Sequence, residues 1–342
     1  MNTQRLVLLI ATAALLLAFF GGPNPYAVDI TTLNPGVQAA GDPFQMISYP
    51  EGEGLYNGSS AIYQLGVGGQ VTLELGDAAA DGFGTDLIIY ENPFLVIGGT
   101  NSETWAELLT VEVSSNNFDW AAFPTDFGGN PGPFGLFQGL PMHWYRGFAG
   151  VSPVSADPSM GIDPADVVSG GGDVFDFADL LNDPAVLAEL VDLQDIRFVR
   201  LTDVVAGTTT DTAGNFVWDC GDPSFSCADI DAIYSANSPS VDPIGRPWVE
   251  LSMEDHPGGT FMILEIGDPN GLGGVIPGIT VSANGVQTDF FSLLHFFNFL
   301  ELDKYHVRMA AGPVIPQLPR TQFRVSVTDF TGKTSGDAIY FP

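Results

Sequence analysis

Acidic residues crowd one short stretch of this chain, WDCGDPSFSCADIDAI, running from Trp218 to Ile233. Asp219, Asp222, Asp229 and Asp231 surround two cysteines there. Like charges at that density repel unless a positive ion joins them or water separates them. A hard divalent cation is one answer, because calcium takes 6–8 oxygen ligands at about 2.3–2.6 Å. More acids fall at the ends of runs that read as strands. Glu91 and Asn92 close TDLIIYEN, Asp203 closes IRFVRLTD, and Asp229 and Asp231 open ADIDAIY. Spaced by two, Asp229 and Asp231 should share one strand face. Asp173 and Asp176 follow the glycine run in GGGDVFDFADLL. Strand ends from several parts of a chain meet at the rim of a sandwich. The pattern therefore nominates Glu91, Asp203, Asp229 and Asp231 as calcium ligands, with Asp173 and Asp176 as further candidates. The competing reading is local: Asp and Asn favour turns for their own hydrogen bonds. No EF-hand loop and no glycine-aspartate nonapeptide repeat is present.

Cys220 and Cys227 are the only cysteines. In an exported protein an even count implies a disulfide. A Cys220–Cys227 bridge would close an eight-residue loop, worth roughly 2.5 kcal/mol in the chain-entropy model. A zinc site would need two more soft ligands, and no nearby histidine supplies them.

The segment PMHWYRG places His143, Trp144, Tyr145 and Arg146 in a loop between Gly-Pro-rich stretches. Aromatic rings beside polar donors suit sugar-binding faces, so this loop is a ligand-binding candidate. Trp105, Trp120, Trp218 and Trp248 can add to such a face; Trp105 and Trp248 also lie in strand-like runs, where core packing competes. Catalysis has no comparable signature. None of the four histidines sits in H-E-x-x-H, and there is no G-x-S-x-G elbow. A glycoside hydrolase needs only two carboxylates, but nothing singles out a pair. The expectation is a non-enzyme, with a carbohydrate-binding module as the alternative and a glycosidase after it.

These residues must be held by an all-β framework. Short β-branched and aromatic runs alternate with Gly, Pro, Asn and Asp. Period-2 alternation is clear in Val71-Thr72-Leu73-Glu74-Leu75 and in Phe323-Arg324-Val325-Ser326-Val327. The one good helix candidate is Asp183 to Leu193, with Asp183 as N-cap and Pro184 at the first helical position. FDFADLL before it reads as a short helical turn. The expected architecture is a jelly-roll-like β-sandwich over 28–240, a Pro/Ser-rich linker over 241–248, and a smaller Ig-like β module over 249–342.

Residues 1–27 read as a secretory signal peptide: Arg5, then the apolar run Leu6 to Phe20, then Gly21, Gly22 and Pro23. A retained N-terminal membrane anchor is the alternative. Acids number 41 against 10 Lys plus Arg, a net charge of −31. Such a surface repels nucleic-acid phosphates and anionic membranes. It suits divalent cations or saline water. The expected location is secreted or cell-surface, with glycans or cell-envelope components as partners.

The ordered set GGQVTLELG, GTDLIIYEN, WAELLTVEVSSNNFDW, GGGDVFDFADL, DIRFVRLTDV and ADIDAI resembles a family of exported bacterial cell-surface proteins. It covers roughly Ser60 to Ala236. The family pattern runs through A-D-F-x-V-F-E-N-like, G-G-D-x-F-D-L-A and Y-V-R-I-x-D segments to a closing F-D-L-D-A. The resemblance implies a jelly-roll-like sandwich, surface display and calcium binding, and no settled activity. Two departures stand out: the closing segment here is CADIDAI, with its cysteine, and no sorting tail is read before Pro342.

Overall fold

The computed structural model describes residues 23–97, 103–135, 138–220, 227–238, 246–256, 259–270, 272, 275, 278–283, 286–288, 297–302, 305–311, 321–329 and 331–340. Antiparallel β-structure dominates throughout, as the alternation predicts. The first part of the chain contributes β1 (Ala27–Asn34), β2 (Tyr63–Gln64), β3 (Gln70–Ala79), β4 (Leu87–Glu91), β5 (Phe94–Leu95), β6 (Glu103–Trp105) and β7 (Leu109–Ser114). It continues with β8 (Ala121–Ala122), β9 (Asp126–Phe127), β10 (Leu140–Pro141), β11 (Tyr145–Arg146), β12 (Asp173–Phe175), β13 (Ile196–Asp203) and β14 (Asp229–Ser235). A five-stranded sheet in the order β1-β3-β13-β7-β8 faces a four-stranded sheet in the order β12-β4-β14-β2.

The interior between these sheets follows from side-chain period. Val71, Leu73 and Leu75 point into the core from β3, and Val199 and Leu201 do so from β13. Leu87 and Ile89 of β4 meet them from the other sheet. Each such side chain contributes roughly 1.5–3 kcal/mol by leaving water. The opposite face of β4, Ile88 and Tyr90, packs in a second cluster with Val154 and Ala232. Covered on both sides, β4 is an unbroken apolar run until Glu91.

The second module holds β15 (Trp248–His256), β16 (Gly259–Gly267), β17 (Ile279–Ala283), β18 (Val286–Thr288), β19 (Phe297–Leu302), β20 (His306–Ala311), β21 (Gln322–Thr328) and β22 (Thr334–Tyr340). They form the sheets β15-β16-β20-β19 and β18-β17-β21-β22 around their own core, with Val249, Leu264, Val281 and Val325 at its centre. On β21, Val325 and Val327 face that core, while Arg324 and Ser326 turn toward the first module. Ser326 accepts a hydrogen bond from the Val168 N–H at 3.1 Å, and Arg324 donates to the Val167 carbonyl at 3.0 Å.

Two elements differ from the sequence reading. The helix is one turn, α1 (Pro184–Leu187), with Asp183 as its cap accepting from the Ala185 N–H at 2.7 Å. It ends early because Glu189 turns left-handed (φ 56°), which sends Val191 and Leu193 into the core instead of along a helix. Strand β1 was not foreseen; its register shifts between Ala27 and Asp29 and again between Ile30 and Thr32 break the alternation that marks a strand. The linker expected over 241–248 falls mostly outside the described residues, and Trp248 already belongs to β15. Residues 1–22 of the expected leader are likewise outside them, while Tyr26 bridges Tyr234 and Ala27 is buried. Among the described residues no helix is long and apolar enough to cross a membrane.

Candidate functional site

The acids nominated from the sequence divide among four surroundings. The first is the rim of the large sandwich. Glu91 continues the face of Leu87 and Ile89, and Asp203 continues the face of Val199 and Leu201, so each inner face ends in a carboxylate. Ala228 and Asp229 sit between them. The Asp229 N–H donates to Glu91 Oε1 at 2.6 Å, and the Ala228 N–H donates to Asp203 Oδ1 at 2.9 Å. The other oxygen of Asp203 accepts from the Gly68 N–H at 2.8 Å.

This rim is short of partners. Glu91 Oε2, Asp229 Oδ1 and Asp219 Oδ1 are buried oxygens without a hydrogen bond among the described residues. Glu91 is 1% exposed and Asp219 is 3% exposed. Burial first, then the charges of Glu107 and Asp229, hold the Glu91 carboxyl well above the usual carboxylate range. Burial, then Asp203 and Glu107, do the same to Asp219. Burial pushes Asp203 and Asp229 each up to about 6. Asp219 and Glu107 were not nominated as ligands. Asp219 was visible in the acid-rich stretch, whereas Glu107 lies between apolar residues in WAELL and gave no signal.

Asp231 has partners of its own beside the rim. A register shift between Ile230 and Ala232 makes Asp231 a bulge residue, yet it stays on the side of Asp229: Asn92 donates to Asp229 Oδ2 at 3.4 Å and accepts from the Ser59 N–H, next to Asp231. Its carboxylate accepts from the Ser59 hydroxyl and from the Glu51 N–H at 3.0 Å. Asp173 is also committed. It accepts from the Val151 N–H at 2.9 Å and lies 3.8 Å from the Arg324 guanidinium of the second module.

Asp176 enters a different acid group. Oxygens of Asp81, Asp86 and Asp176 lie within 4.8 Å of one another, about the span between ligands on opposite sides of a calcium ion. Asp86 is fully buried and accepts from the Phe177 N–H at 2.8 Å and from the Gly82 N–H at 3.0 Å. Burial raises it to about 8. Asp176 rises to about 9, through burial and then the charges of Asp337 and Asp86. Asp337 comes from β22, so both modules contribute acids to this junction. The two groups differ in kind. The junction trio converges in distance, whereas the rim group holds three carboxylate oxygens that lack hydrogen bonds among the described residues. Both offer oxygen donors only, the set a hard cation takes.

The His143–Arg146 loop is largely interior. Met142–Trp144 forms a 3-10 turn, and Tyr145 and Arg146 pair with Asp126 and Phe127. Tyr145 is fully buried and donates to the Trp218 carbonyl at 2.9 Å. Trp144 packs edge-on against Phe127, His143 is half-buried, and Arg146 is exposed.

The disulfide is corrected. Cys220 and Cys227 are both buried and not bonded to each other. Cys220 Sγ is instead held by the backbone around β6, accepting from the Ala106 N–H at 3.3 Å and donating to Gln138 O at 3.1 Å. Burial pushes both thiols up to about 12, so they stay protonated and are poor metal ligands.

Compared with protein-family models and with curated proteins, the chain matches none.

Proposed function

We propose that this is an exported, non-catalytic β-protein, stabilised by calcium, acting at the cell surface or outside the cell in structure, adhesion or glycan binding. The observation that carries the calcium reading is Glu91. It is a buried carboxylate with one oxygen lacking a partner, and the charged groups acting on it are Glu107 and Asp229, both acids. An uncompensated buried carboxylate is costly unless it is protonated or bound to a cation. The junction trio adds a second place where a cation would relieve repulsion. The resemblance to exported cell-surface proteins and the acidic surface support the location.

The test is thermal melting of the whole chain in chelator and then in millimolar calcium. The reading expects a higher melting temperature with calcium, reversed by chelator. Glu91→Gln and Asp176→Asn then separate the rim from the junction. Identical melts in calcium and in chelator would remove the cation from the proposal.

A further inference from the structure

Where the two modules meet there is a cavity of about 440 Å³, within the range that holds small ligands. Both modules build it. The first supplies Asp81, Phe83, Gln194 and Asn237, and the second supplies Trp248 beside Arg246. Phe83 is a large aromatic side chain left 58% exposed, in a loop that could have carried a polar residue at no cost to the core. Its ring lies on Trp248 with centroids 4.2 Å apart and planes 18° apart. Trp248 is backed in turn by His306 at 5.6 Å. The stack fixes the orientation of an apolar ring at the cavity wall.

The polar groups around it are also fixed. Gln194 donates its amide nitrogen to the Asp81 carbonyl at 3.1 Å, and Asn237 donates to the Ala80 carbonyl at 3.0 Å. Each amide oxygen is then left as an acceptor. Asp81 adds a carboxylate and Arg246 a guanidinium, the cationic donor among the described residues of the wall. A ligand for this cavity needs an apolar face for the ring and several groups that both donate and accept. It must also be uncharged or cationic, because a chain of net charge −31 repels anions. Neutral sugars meet all three conditions.

We infer that the cavity between the modules is a binding site for a neutral saccharide of one or two rings, stacked on Phe83 and held by Gln194, Asn237, Asp81 and Arg246. This rests on the glycan-binding part of the proposed role, and the site shares Asp81 with the acid junction, so sugar binding is measured in chelator. It also places the sugar away from the loop of Trp144 and Tyr145.

The test is titration calorimetry of the full chain against lactose, maltose, cellobiose and N-acetylglucosamine. At least one should bind. Phe83→Ala should weaken it by about tenfold, the weight of one aromatic contact. Gln194→Ala should weaken it further, and Trp144→Ala should leave it unchanged. Phe83 is exposed, so its loss should not unfold the protein, and a melt of each variant checks this. Sugar binding that survives Phe83→Ala overturns the site while leaving a glycan-binding role. Absence of binding by all four sugars overturns both.

Discussion

The Arg324 guanidinium of the second module lies 3.8 Å from Asp173 Oδ1 of the first, and both side chains are nearly fully buried. Arg324 also donates to the Val167 carbonyl and to the Ser152 hydroxyl. One cation therefore reaches across the seam into a set of acceptors on the first module. Breaking a buried pair by removing one partner leaves the other charge uncompensated. Arg324→Ala should lower the stability of the chain by about 3–5 kcal/mol in chemical denaturation. Asp173→Asn should lower it too, and the double variant should lose less than the sum of the two. Additive losses would show that the residues act separately.

Calcium should stabilise the chain by mass action, by about 2.7 kcal/mol when the free ion stands 100-fold above its dissociation constant. Glu91→Gln should shrink that gain while raising stability in chelator, because it removes a buried carboxyl that must be either protonated or left uncompensated when no cation is bound. A calcium gain untouched by both Glu91→Gln and Asp176→Asn would place the ion elsewhere.

The acid junction sets a pH dependence in chelator. Asp86, Asp176 and Asp337 have folded values raised from 3.8 to about 8, about 9 and about 7, in each case by burial first. Below the unfolded value all three are protonated in both states, and their contribution to stability is fully present. As pH rises past 3.8 the unfolded chain releases these protons while the folded chain keeps them. Stability therefore falls with pH, by about 1.4 kcal/mol per unit for each such group, until the folded values are passed. Urea midpoints measured from acid to mildly alkaline pH should decline across that window. Asp176→Asn should flatten the decline, and calcium should oppose it. A midpoint that rises with pH would contradict the burial of these groups.

The free cysteines give a chemical test. With both thiols buried and raised to about 12, alkylating reagents should modify Cys220 and Cys227 only after unfolding. Reductant should leave the melting temperature unchanged. A fall on reduction would mean that a Cys220–Cys227 bridge forms in the purified protein.

The strands were legible in the sequence because alternation is a local property. A residue's face is set by its neighbours two positions away, so β3, β13 and β21 could be read directly from Val71, Val199 and Val325 and their neighbours. The same rule placed Glu91 and Asp203 at strand ends. The sequence by itself thus determined an all-β chain, acids at the strand ends and no recognisable catalytic motif.

Only the tertiary structure decided where those acids go. Glu91 and Asp229 meet although they are 138 residues apart, and Asp86 and Phe177 although they are 91 apart. Such meetings depend on strand order and register, which short-range patterns do not encode. Ser59 and Asn92, from separate parts of the chain, join Asp231 to Asp229. One strand of the second module brought Arg324 to Asp173. The seam with Phe83 on Trp248 exists only because two modules pack together, and neither module's alternation predicts which residues it will present there. Local periodicity chooses the faces, and long-range packing chooses what each face meets.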